Sequence, residues 1–197
     1  MLYVALLHSI VLGPGKRLVM ADLKAVAENL GYRNVRTLVA TGNLVFEADT
    51  APAAQLEHDL EQEFAAKLGK HVDIIVRTGP AWLKLAKANP FADGQGSEVC
   101  VRVMRTKLDD SVITKLEPYR TGEKIAVVGG DLWIDFCGKA SETRLLSHLT
   151  VKKLGPGTIR NANTVNGMSA MLEGGPGGGP AAKRPSKQAP KQTPKQT

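Results

Sequence analysis

With 197 residues, 43% hydrophobic and 23% charged, the chain has the make-up of a globular protein of one large or two small domains. No apolar run approaches the roughly 20 residues that a membrane-spanning helix needs, and no basic lead precedes the first apolar stretch, so a soluble, cytoplasmic protein is expected. The net charge of +7 is uneven: five of the 26 basic residues, and none of the 19 acidic ones, fall in residues 174–197, which leaves the body near charge balance.

The apolar run YVALL (Tyr3 to Leu7) predicts a buried strand, and Gly13, Pro14 and Gly15 predict a loop after it. Met20, Leu23, Ala27 and Leu30 follow at helical spacing, with Gly31 where a left-handed C-terminal residue belongs. Val35, Thr37 and Val39 then alternate with Arg36, Leu38 and Ala40, and Gly42 with Asn43 predicts a two-residue hairpin turn into Leu44, Val45 and Phe46. A second helix through Leu56, Leu60, Phe64 and Leu68 is bounded by Pro52 and Gly69, and HVDIIVRT (His71 to Thr78) reads as a strand. Strand, helix, strand, strand, helix, strand over residues 1–78 is the order of a ferredoxin-like unit.

Residues 79–96 predict a connecting helix carrying Trp82, Leu83 and Leu85, then a linker at ADGQGS. The six-element order recurs in residues 97–173. EVCVRVMR (Glu98 to Arg105) is a strand, a short helix runs from Asp109 to Leu116, and KIAVVGGDLWIDF (Lys124 to Phe136) forms two strands joined at Gly129 and Gly130. A helix opening at Ser141 with Leu145, Leu146 and Leu149 as its stripe, and a strand at GTIRN (Gly157 to Asn161), complete the second unit. A final helix through Val165, Met168 and Met171 is expected after Asn163, read as its cap. The fold class is therefore α+β: two associated ferredoxin-like units with antiparallel sheets and helices on one face, plus a C-terminal helix. Residues 174–197 hold no aromatic or large aliphatic residue with which to offset the entropy of ordering, so a disordered tail is expected.

These residues resemble the bacterial domain-of-unknown-function family 1697. Its members open with YVALLRGINVGG, continue with NVRTY and SGNVVF, and carry RNWNTV near the end. The matching stretches here are YVALLHSIVLGPG, NVRTL, TGNLVF and RNANTV, in the same order, over residues 1–172. The resemblance implies two associated ferredoxin-like units and no established activity. His8, Ser9, Val11 and Ala162 depart from the family's text, so a family site lined by those positions would be altered here.

GPGK (Gly13 to Lys16) lacks the four-residue spacer of a phosphate-binding Walker loop, and Arg17 stands where that loop has Ser or Thr, so it reads as a tight turn. RNANT carries more chemistry. Arg160 and Asn161 precede a helix whose first amides can hold a carboxylate or phosphate, which makes Arg160, Asn161, Asn163 and Thr164, with the exposed amides of the Gly42–Asn43 turn, the candidate ligand residues. His8, His58, His71 and His148 show no ligand spacing, so neither a metal nor a cofactor is expected. Cys100 and Cys137 lie in apolar runs and read as reduced, buried thiols. Asp131 and Asp135 flank Trp133 and read as an exposed sheet face.

No nucleophile motif is present, so catalytic residues are not identified and an enzyme would need residues that meet only in the fold. The leading reading is a protein that binds a small anionic ligand between its two halves. The alternative is weak, sequence-independent nucleic-acid contact through Lys183, Arg184, Lys187, Lys191 and Lys195 in the tail.

Overall fold

The structure, a computed structural model, describes residues 1–8, 20–38 and 42–174. The opening-loop positions Ser9, Val11, Gly13, Pro14, Gly15, Lys16 and Arg17, the predicted strand end at Val39 and Ala40, and the tail cations Lys183, Arg184, Lys187, Lys191 and Lys195 lie outside the described residues.

The first unit comprises β1 (Leu2–Leu7), α1 (Met20–Asn29), β2 (Arg33–Thr37), β3 (Asn43–Glu47), α2 (Ala53–Leu68) and β4 (Ile74–Thr78). After a connecting α3 (Gly79–Lys87), the second comprises β5 (Val99–Met104), α4 (Ser111–Leu116), β6 (Lys124–Val128), β7 (Asp131–Asp135), a one-turn α5 (Val151–Leu154) and β8 (Gly157–Asn161), and α6 (Ala162–Leu172) is the last helix of the described residues. Both sheets are antiparallel, in the orders β2-β3-β1-β4 and β6-β7-β5-β8. Relabelled within each unit these are the same order, second, third, first, fourth, so the ferredoxin-like topology occurs twice. No helix among the described residues is long and apolar enough to cross a membrane.

Strand alternation sorts the apolar residues into three layers. Tyr3, Ala5 and Leu7 of β1 face Leu23 and Val26 of α1 and Leu56, Leu60 and Phe64 of α2. Val4 and Leu6 face the opposite way, into a central layer where the two sheets meet Val99, Val101, Val103 and Trp133, with Trp82 of α3 and Val165, Met168 and Met171 of α6 between them. Trp82 Nε1 donates to Val165 O at 3.3 Å, joining the connecting helix to the last one. Cys100, Leu132 and Ile134 line the third layer against Val112, Leu116, Leu145 and Leu149. Both faces of each sheet are covered, which is why YVALL is a continuous apolar run rather than an alternating one.

Several expectations are corrected. Thr37 pairs with Leu44, and Leu38 N donates to Asn43 O at 3.2 Å, so the β2–β3 connection is longer than two residues. Asn43 belongs to β3, opposite Leu6, because its buried side chain donates to Leu38 O at 2.9 Å. The helix predicted from Ser141 is broken into turns at Ala140–Glu142 and Leu145–His148 and then α5. Thr143 and Thr150 are extended between these pieces, and Leu146 is exposed, so of the predicted stripe Leu145 and Leu149 are the residues buried in the core.

The cap of α6 is Asn161, not Asn163: its Oδ1 accepts from Thr164 N at 2.9 Å and from Thr164 Oγ1 at 2.8 Å. Asn163 is already helical, and its N–H goes to Gly96 O. Asp131 and Asp135, at opposite ends of β7, are buried rather than on an exposed face: α3 and Lys107 border Asp131, and Gly94 lies beside the Asp135 carboxylate. Cys137, just past β7, is exposed rather than buried. The second hairpin is as predicted: Val128 pairs with Asp131, and Gly129 and Gly130 have φ of +65° and +94°, as a tight turn with two left-handed residues requires.

Candidate functional site

The junction of the two units carries the cations. Near the end of β4, Arg77 reaches into the second unit, where its Nη2 donates to Met104 O and lies 3.5 Å from Asp131 Oδ1. Asp131 opens β7 immediately after the two-glycine turn, and its Oδ1 accepts from Met104 N at 2.8 Å. Burial raises the Asp131 carboxyl above its ordinary pKa, with the Met104 N–H and the Arg77 charge pulling it back down.

Between this pair and α3 lies a groove of about 530 Å³. Ala81, Leu85 and Ala88, spaced so that they share one face of α3, meet Val128 as its apolar floor. Lys84, on the connecting helix, and Lys107, in the second unit, stand at it, and among the described residues neither has a carboxylate within 4 Å. Gly130 lets the Lys107 stem lie close: a methyl group there would sit 2.5 Å from Lys107 Cβ. Two ammonium groups above an apolar floor suit an anion with an apolar body.

A second cluster joins the units on the same flank. Arg105 Nη2 donates to Glu61 and, at 2.8 Å, to Ile74 O, and its other nitrogens lie 3.6 Å from Glu57 Oε2 and 3.5 Å from Asp73 Oδ1. Glu61 and Glu57 also accept the N–H groups of Ile74 and Val76 at 2.8 and 2.9 Å. Burial is the main force raising Glu57 above its ordinary pKa. Glu61, His71 and Asp73 bring one ligand atom each to within 4.8 Å of one another, a grouping that the separate histidines did not announce. Arg105 contacts both of those carboxylates, so a metal ion there would have to displace its guanidinium or sit against its charge.

The candidate residues from sequence divide into two groups. Gly42, Asn43 and Arg160 meet. Arg160 is buried, its Nη2 donates to Leu7 O at 2.8 Å and Gly42 O at 3.3 Å, its Nε to Asn43 Oδ1 at 2.5 Å, and its Nη1 to Thr158 Oγ1 at 2.6 Å and Ile159 O at 2.8 Å. Burial brings its pKa down to about 10. Asn161 and Thr164 instead form the α6 cap, and Asn163 is exposed beside Gly96. Of the divergent positions, His8 Nδ1 lies 2.6 Å from Gly157 O and Ala162 is buried in the central layer.

The fold is similar to that of the conserved bacterial protein SP0830 from Streptococcus pneumoniae, with 25% sequence identity and a TM-score of 0.69 over 87% of this chain and 98% of that one. No functionally curated protein matches the chain. The model of a family of proteins of unknown function, DUF1697, matches residues 1–133, from β1 through the middle of β7. That match covers well over half of the sequence, taking in the first unit and the second as far as Trp133, and the chain belongs to the DUF1697 family.

Proposed function

We propose that the protein binds a small organic anion with an apolar body in the groove between its two units. The observation that carries this reading is the pair of Lys84, on the connecting helix, and Lys107, in the second unit, at a groove floored by Leu85 and Val128, neither with a carboxylate within 4 Å among the described residues. A surface lysine is ordinarily solvated and contributes little, but two cations converging on one concave apolar surface lower the cost of desolvating a bound carboxylate or phosphate ester. The test is thermal unfolding with hexanoate and phenyl phosphate, each against sodium chloride at equal ionic strength. A ligand at 100 times its Kd stabilises the native state by about 2.7 kcal/mol. The Lys84→Gln, Lys107→Gln double variant should lose that gain. No shift with either compound, or an equal shift in the variant, would remove the groove as a binding site.

A second reading rests on the tail, where Lys183, Arg184, Lys187, Lys191 and Lys195 occur without an acidic residue. Five cations spaced by proline and glutamine favour weak, sequence-blind contact with phosphate backbones, with a slope of log affinity against log salt no steeper than about −4.5 on duplex DNA. A salt titration of the full chain and of a chain ending at Glu173 tests it. Undiminished binding by the shorter chain would move the contact into the fold.

A further inference from the structure

Arg102 is a buried arginine with no carboxylate beside it and a single hydrogen bond among the described residues. It lies on the central strand β5, 2% exposed, with Leu132 of β7 and Ile159 of β8 as its cross-strand neighbours. Its Nη2 donates to Gly155 O at 3.0 Å, and its buried Nε has no partner. Nη1 makes no hydrogen bond among the described residues either, yet it keeps contact with solvent. No carboxylate lies within 4 Å of the guanidinium, and every acidic side chain of the sequence belongs to the described residues. The other buried arginine, Arg160, spreads its donors over five acceptors, and Arg77 and Arg105 reach carboxylates.

Removing a cation from water without a counter-charge is among the most costly arrangements in a protein interior. The local backbone is nonetheless fitted to it. A methyl group at Gly157 would come within 3.1 Å of Arg102 Nε and 2.6 Å of Met104 Sδ, so glycine makes room for the guanidinium. Gly155, with φ of +82°, turns the chain that presents the accepting carbonyl. Lys152 and Lys153, in the helical turn just before it, add positive potential.

We infer that Arg102 anchors a site for a compact oxyanion, a carboxylate or phosphate head group, beside the Gly155–Gly157 turn. The anion completes the hydrogen bonding at Nη1 and neutralises the buried charge. This site shares no residue with the Lys84 and Lys107 groove.

The experiment compares full-length wild type with Arg102→Met and Arg102→Lys. Each is melted in sodium phosphate, sodium acetate and sodium chloride at equal ionic strength, and the phosphorus-31 line width of inorganic phosphate is followed on titration with protein. Wild type should melt higher in phosphate or acetate than in chloride, and it should broaden the phosphate line. Arg102→Met should lose both effects and melt in chloride no lower than wild type, since an uncompensated charge has gone. Arg102→Lys, which keeps the charge without the planar fork, should show a reduced shift. The Lys84→Gln, Lys107→Gln variant should retain the full phosphate effect, which separates this site from the groove. Overturning results are a wild type that neither shifts nor broadens beyond chloride, an undiminished effect in Arg102→Met, or an Arg102→Met melting well below wild type in chloride.

Discussion

Arg160 Nη2, in β8, donates to the carbonyl of Leu7, in β1, at 2.8 Å across 153 positions of sequence. The same guanidinium reaches Gly42 O and Asn43 Oδ1, and Thr158 Oγ1 adds a 3.2 Å bond to Leu7 O, so the edge strand of the second sheet is tied to the first sheet by a buried charged donor. Hydrogen bonds from charged groups contribute more than neutral ones, and here three of them cross the junction. Arg160→Ala is expected to destabilise the protein by about 3 kcal/mol, read as a lower urea midpoint with an unchanged slope. A loss under about 1 kcal/mol would mean that the apolar central layer alone holds the sheets together.

The central layer makes the halves mutually dependent. Val4, Leu6, Val45 and Ile75 of the first sheet are covered by β5, β7, α3 and α6, none of which belongs to residues 1–78. Cut at Thr78, the first unit would expose that face and leave Glu57 and Glu61 without Arg105. Residues 1–78 alone are expected to give a poorly dispersed amide spectrum and no cooperative melt. A dispersed spectrum matching the first unit within the full chain would show instead that each unit folds by itself.

The element order was legible because each strand is a run of large apolar residues and most turns are local events. Gly129 and Gly130 announce their hairpin since the two residues that make the turn are the ones that need positive φ. Gly42 and Asn43 use the same residue types, but the fate of Asn43 is set by Leu38 and by Arg160, 117 positions away. Asn161 and Asn163 are equally good caps by composition, and only the strand ending at Asn161 decides between them. The groove gave no signal at all: Arg77, Lys84 and Lys107 sit on a strand, a helix and a loop, and they converge only because α3 packs beside the β6–β7 hairpin.

That hairpin is also a sensitive point. Gly130→Ala would force a side chain into φ of +94° and place its methyl group 2.5 Å from Lys107 Cβ and 3.1 Å from Lys107 Cα. The expected cost is about 1–3 kcal/mol in urea unfolding, together with a weaker anion-induced shift as Lys107 is displaced. Gly129 has φ of +65° with nothing within 4 Å of an added Cβ, so Gly129→Asn should be close to neutral. Equal costs at the two positions would show that backbone strain, rather than the approach to Lys107, limits the turn.

Asp131 and Glu57 give the junction a pH dependence whose sign follows from burial. Both carboxyls are raised above their ordinary values of 3.8 and 4.5, burial being the largest cause at each. The Met104 N–H and Arg77 oppose it at Asp131, and the Val76 N–H and Arg105 oppose it at Glu57. In the window above the ordinary value, the folded chain therefore holds protons that the unfolded chain has released. Stability from these two groups must fall as pH rises through that window. Asp131→Asn keeps an oxygen to accept from Met104 N but does not titrate, so its structural cost is a constant offset, and wild type should lose ground to it as pH rises above the ordinary Asp value of 3.8. Glu57→Gln should behave alike, from a starting point set by the higher ordinary value of Glu. Urea unfolding of the three proteins at half-unit pH steps measures the differences directly. A wild type that instead gains on both variants as pH rises would show that Arg77 and Arg105 outweigh burial and hold the two carboxylates ionised.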